Sequence, residues 1–118
     1  MFIHAPTTAK LRCNSRTTDG TIITIPAGKI WCGDLMISAS VAEAATGAPT
    51  ITVSGANAAP ANGTIIHRLS ITGLAGTTVA DSATISAFVR APLANAVTLE
   101  FAAGGATSAA AVANGVLL

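Results

Sequence analysis

Aromatic side chains are scarce in this sequence, which has one tryptophan, three phenylalanines and no tyrosine, 3% of the chain. A sugar-binding face needs aromatic platforms flanked by polar groups, and Trp31 is the single indole available. A lone tryptophan in a β domain more often packs in a core or at a bend than stacks on a ligand. Charge is scarce too, with six basic and five acidic residues making 9% of the chain and a net charge of +1. So small and balanced a charge argues against nucleic acid, which needs clustered Lys and Arg to displace counterions. Lys10, Arg12 and Arg16 form the one local cluster, and cations spaced along a strand read as edge protection. A soluble monomer usually exposes about 25–35% charged residues. This much neutral surface is expected to be covered in part by neighbouring chains.

Helical periodicity is missing, since no segment keeps apolar residues at helical spacing for three turns. The charge-free stretches Ala44–Ile66 and Phe101–Leu118 are broken by Pro and Gly or made mostly of Ala and Gly, so neither reads as a membrane span. Met1 to Arg16 contains no apolar run between a basic start and a small-residue cleavage site, and the chain is expected to begin at Met1 without a secretory leader. Two cysteines, Cys13 and Cys32, then fit a reduced compartment as free, partly buried thiols, with a disulfide between their strands as the alternative. With His4 and His67 far away in sequence they lack metal-ligand spacing, so no metal and no cofactor is expected.

What the 118 residues do contain is a succession of short β-rich runs punctuated by Gly, Pro, Asn and Asp. The length fits a single domain over residues 1–118. Its apolar half is dominated by alanine, so the core is expected to be thin. Lys10–Ser15 alternates, with Leu11 and Cys13 on one side and Lys10, Arg12 and Asn14 on the other, which predicts one wet face. Asp19-Gly20 predicts a tight hairpin turn into Thr21–Ile25, and Pro26-Ala27-Gly28 a second turn. A long strand follows over Lys29–Val41, with a bulge or bend expected at Gly33-Asp34 and a core face of Leu35, Ile37 and Val41. Val41–Gly47 is a candidate helical turn or loop. Further strands are expected at Thr50–Ser54, Thr64–Thr72, Thr84–Arg90 and Ala96–Phe101, with one more at Ala111–Leu118. About eight short strands predict an all-β fold, an antiparallel β-sandwich of jelly-roll type, with a small β-barrel as the alternative.

Catalytic chemistry finds little to work with. The acids Asp19, Asp34, Glu43, Asp81 and Glu100 and the two histidines are scattered, whereas general acid–base catalysis needs them paired. No Gly-x-Ser-x-Gly elbow marks out a serine nucleophile, and Gly104-Gly105 lacks the lysine of a phosphate-cradling loop. The chain is expected not to be an enzyme and to have no small-molecule substrate. Asn62-Gly63-Thr64 matches the glycosylation triplet but reads more simply as an Asn-Gly hairpin. It echoes Asp19-Gly20-Thr21 through shared turn chemistry rather than duplication.

The segment Thr21-Ile22-Ile23-Thr24-Ile25-Pro26-Ala27-Gly28-Lys29-Ile30-Trp31, followed by a strand of small and β-branched residues, resembles small structural proteins of tailed-bacteriophage virions. These are capsid decoration or cement proteins and minor head or tail proteins, and the resemblance covers residues 21–41. It implies a β-sandwich that trimerises and sits on the outer surface of the capsid, where shell subunits meet. Its partners would be further copies of itself and the major capsid protein, with no nucleic acid and no membrane. A place in the tail or fibre is the variant of that reading, and a carbohydrate-binding or adhesin-like module is the alternative outside it. The apolar ends make poor solvated tails, so Phe2, Ile3, Val116, Leu117 and Leu118 are the candidate interface residues.

Overall fold

The computed structural model of the chain describes residues 10–41, 48–71 and 78–118. They form eight strands: β1 (Lys10–Arg16), β2 (Gly20–Ile25), β3 (Ile30–Val41), β4 (Thr50–Ser54), β5 (Ile65–Arg68), β6 (Val79–Arg90), β7 (Val97–Ala102) and β8 (Ser108–Leu117). There is no helix among the described residues. Two four-stranded antiparallel sheets result, ordered β1-β8-β3-β6 and β2-β7-β4-β5.

The pairs β1·β8, β2·β7, β3·β6 and β4·β5 are successive rungs of one long hairpin that turns between β4 and β5. Alternate rungs belong to alternate sheets, and the cross-pairs β3·β8 and β4·β7 complete each sheet. This is a jelly-roll sandwich. Each sheet ends in two edge strands, so the barrel alternative is not formed.

Alternation along the strands fills the space between the sheets. Leu35, Ile37 and Val41 of β3 are buried as the sequence pattern requires, opposite Ile51 and Val53 of β4 and Val97, Leu99 and Phe101 of β7. Each large aliphatic side chain buried in this way contributes about 1.5–3 kcal/mol. The inward residues of β8 are small, Ala111 and Ala113, which leaves room for the bulk that Trp31 brings in from β3.

The bend expected at Gly33-Asp34 does not occur. β3 pairs without a register break to β6 and to β8 through this point, Gly33 lying between Ala87 and Gly115. Both glycines are there for space. A β-carbon on Gly33 would stand 2.9 Å from Cζ2 of Trp31, and one on Gly115 would stand 2.7 Å from Cε2 and Cζ2 of the same ring. The indole therefore runs across the Gly33/Gly115 pair and donates from Nε1 to the carbonyl of Arg12 in β1, at 3.0 Å.

Asp19-Gly20 is not a hairpin turn either, because β1 and β2 lie in different sheets. The chain crosses between sheets here, and Arg16 fixes the crossing with Nε to the Thr18 carbonyl at 2.7 Å and Nη2 to the Asp19 carbonyl at 2.7 Å. The carboxylate of Asp19 in turn accepts from the backbone N–H of Ala103 at 2.8 Å. Pro26-Ala27-Gly28 does turn, with the Lys29 N–H donating to the Pro26 carbonyl at 3.0 Å and Gly28 at φ +76°. Asn62-Gly63 lies in the connection between β4 and β5, the one sequential pair of strands that share a sheet. The Asn62 side chain there accepts from the backbone N–H of Gly55 at 2.9 Å.

Of the expected Thr64–Thr72 strand only Ile65–Arg68 pairs, while β6 begins at Val79 rather than Thr84 because β3 offers it a partner along its whole length. Val41 ends β3, and the rest of the candidate helical turn lies outside the described residues, as do Phe2, Ile3, His4 and Glu43. The free edge of β6 is covered in two places. Ala59 exchanges backbone hydrogen bonds with Arg90, and buried His67 of β5 donates from Nε2 to the Ala83 carbonyl at 2.8 Å.

Candidate assembly face

Strand β1 inverts the pattern expected of it. Its register against β8 sets Lys10, Arg12, Asn14 and Arg16 beside the inward residues Leu117, Gly115, Ala113 and Ala111. Leu11, Cys13 and Ser15 accordingly point away from the sandwich, and Leu11 is 79% exposed. The polar residues of β1 point inward because they have backbone to serve. Asn14 donates to the Ile22 carbonyl at 2.6 Å, and Arg16 holds the crossing to β2. Inward polar groups on an edge strand also discourage edge-to-edge pairing. The face predicted to be wet is thus the apolar one, displayed to solvent.

The same registers carry that face across the sheet. Leu11 pairs with Val116, Val116 with Cys32 and Cys32 with Phe88. One row of apolar side chains therefore crosses all four strands, ending in Phe88, which is 57% exposed. On one side of the row lie Leu118, 51% exposed, and half-buried Ile30, followed by Arg90. The row on the other side is polar, with Cys13, Asn114, Asp34 and Ser86. Within it Cys13 Sγ donates to Asn114 Oδ1 at 3.1 Å and Ser86 Oγ to Asp34 Oδ1 at 3.2 Å. Further along, the outward residues of β3, β6 and β8 are Met36, Val112 and a field of Ser, Thr and Ala.

Of the residues picked out from sequence, Val116 and Leu118 lie on this face. Leu117 points the other way into the chain's own core, at 6% exposure. Cys13 and Cys32 are both free thiols on this face. They stand on either side of β8, two strand spacings across and two residues along, about 12 Å apart and beyond disulfide reach. Leu11 and Phe88 were missed. Phe88 sits in the run Ala87-Phe88-Val89, where either register is plausible until pairing sets Val89 against Trp31.

Elsewhere the surface offers less. Among the described residues no three of His, Cys, Asp and Glu approach closely enough to hold a metal ion. Trp31 is fully buried, so its ring offers no platform to a sugar. An open cleft of about 540 Å³ at the far end of the sandwich is lined by small residues such as Ser40, Ala106 and Thr107, with Asp81 as its titratable group. On the outer face of the second sheet, Glu100 lies between Thr21 and Thr52, and its buried Oε2 has no hydrogen-bond partner among the described residues.

Comparison with known protein families, curated proteins and solved structures finds no match. The functional argument therefore stands on the apolar row, whose chemistry is adhesion. It removes hydrocarbon from water when covered and has no reactive group in its middle beyond the Cys32 thiol.

Proposed function

We propose that this protein is a structural component of a tailed-bacteriophage virion, a decoration or cement protein that strengthens the head from its outer surface by binding between shell subunits. The observation that carries this reading is the apolar row of Leu11, Val116, Cys32 and Phe88, displayed on the outer face of a sheet in a chain with only 9% charged residues. Such a surface favours permanent contact with other chains over life as a free monomer. The virion assignment comes from the resemblance of residues 21–41. The jelly-roll sandwich is compatible with it, since that architecture serves viral capsid domains as well as lectins and cupins.

The mechanism is binding energy alone. Each copy contributes a modest apolar contact, and copies linked to one another on a shell bind at high effective concentration, so that the assembled coat dissociates far more slowly than any single contact. The partners are further copies of the chain and the major capsid protein.

The test is immunogold electron microscopy. Antibody raised against the purified chain is applied to phage particles released from cultures of the organism whose DNA encodes it. Label on heads supports the reading, label confined to tails overturns the head placement, and label absent from particles overturns the virion assignment.

A further inference from the structure

We infer that the end of the sandwich bearing Leu93, Leu118, Lys10, Lys29 and Arg90 docks on an anionic phospholipid bilayer, setting the leucines against the acyl chains and the cations among the headgroups. This goes beyond the virion reading and does not depend on it, since it uses the end of the sandwich rather than the apolar row.

The backbone gathers this end from distant parts of the chain. Gly28 donates to the Pro92 carbonyl at 2.8 Å, Ala91 donates to the Lys29 carbonyl at 2.9 Å, and Ile30 and Leu118 exchange two hydrogen bonds. Lys10 opens β1 opposite Leu117, the last residue of β8. Leu93 stands beside Gly28, where a β-carbon would meet its Cδ2 at 3.4 Å, and is 91% exposed.

Two segregations coincide here. The first is apolar. Among the described residues the exposed large hydrophobic side chains are Leu11, Ile65, Phe88, Leu93 and Leu118, and all belong to the half of the sandwich nearest this end. The cleft at the opposite end is lined by small residues instead. The second is electrostatic. Lys10, Lys29 and Arg90 are exposed, and their side chains have no hydrogen-bond or ion-pair partner among the described residues. The connections at this end, residues 26–29, 55–64 and 91–96, contain no Asp or Glu, and neither do residues 1–9. Along β3 the first carboxylate is Asp34, four residues and about 13 Å beyond Ile30. Asp19 and Asp81 lie at the opposite end, in the crossing to β2 and in the cleft.

Unpaired cations around exposed leucines are the chemistry of an interfacial membrane contact, in which hydrocarbon enters the acyl boundary and Lys and Arg meet anionic headgroups. Size separates this partner from a protein. Two sheets about 10 Å apart, each of four strands about 4.8 Å apart and with side chains outside them, end in a face on the order of 400 Å². A stable protein interface covers about 800 Å² on each partner, whereas a bilayer contact rests on a few inserted side chains and the attraction of headgroups. The resemblance to decoration proteins implies no membrane contact, and the coincidence of leucines with unpaired cations points to one.

Flotation of the purified chain with vesicles tests this, using phosphatidylcholine alone and phosphatidylcholine mixed in equal parts with phosphatidylglycerol. The native chain should float with the mixed vesicles, stay in solution with the neutral ones and be released by raised salt. Lys29→Glu should weaken binding about tenfold or more. Arg68→Glu makes the same change of charge toward the opposite end and should leave binding within about two-fold of native. Leu93→Ser should also weaken it, by about tenfold. All three side chains are exposed, and an unchanged circular dichroism spectrum verifies the fold of each variant. A native chain that ignores the mixed vesicles, or equal losses from Lys29→Glu and Arg68→Glu, would overturn the inference. Sensitivity to Lys29→Glu with indifference to Leu93→Ser would mark an acidic macromolecule as the partner and overturn the bilayer too.

Discussion

The indole of Trp31 lies over Gly115 of the neighbouring strand, so close that a β-carbon on that glycine would come within 2.7 Å of two ring atoms. Through this contact one large side chain joins three strands, because it is anchored in β3, crosses β8 and donates to the Arg12 carbonyl in β1. The edge strand that displays Leu11 is held in place from beneath by the core. Gly115→Ala should therefore destabilise the fold by about 1–3 kcal/mol through overpacking, and thermal unfolding should move down by about 4 °C or more. An unchanged melting temperature would show that the ring does not occupy this position.

Arg16 ties β1 to the crossing that follows it, through carbonyls of Thr18, Asp19 and Thr21. Arg16→Ala should cost about 1–2 kcal/mol, the charged hydrogen bonds being discounted for their partial exposure. Arg16→Lys should recover less than half of it, since a single ammonium cannot reproduce the spread of guanidinium donors. Urea denaturation of the two variants checks both statements, and full rescue by lysine would contradict them.

Glu100 is the one described residue that carries a buried polar side-chain atom without a partner. Replacing it by threonine would remove an unsatisfied carboxylate oxygen and extend the row that Thr21 and Thr52 begin. Glu100→Thr should raise stability by about 0.5–1 kcal/mol, read as a higher urea midpoint at unchanged slope. A lower midpoint would contradict this and mean that the carboxylate is satisfied within the folded chain.

The two thiols report on the outer face directly. With β8 between them, mild oxidation of the folded chain should give no internal Cys13–Cys32 disulfide, as checked by mass spectrometry of the alkylated peptides. An internal disulfide formed without denaturant would contradict the register of β1 against β8.

Much of the architecture is legible in the sequence, because alternation and turn residues are local. Leu35, Ile37 and Val41 pick out the inner face of β3, and the count and spacing of strands lead to a sandwich. What is not legible depends on pairing. Asp19-Gly20 carries hairpin chemistry, yet β1 and β2 part to different sheets, β1 pairing with β8 and β2 with β7 near the C-terminus. Gly33 looks like a break until Gly115 and Trp31 are seen to share its space. The inversion of β1 and the outward turn of Phe88 are register effects, in which a slip of one residue exchanges the faces. The candidate site had to be missed in part for the same reason. Its row takes one residue from each of four strands, residues 11, 116, 32 and 88, and no linear window contains it. Val116 and Leu118 were found as members of an apolar C-terminal end, and the same reasoning admitted Leu117, which alternation sends into the core.

The central claim is that the chain works as an assembling unit whose apolar outer row is covered by other chains. Its most direct test is the mass of the unmodified protein by light scattering over a hundredfold dilution series. The account predicts a fixed multiple of the 11.6 kDa chain mass, held across the series. A folded monomer at every concentration would contradict it.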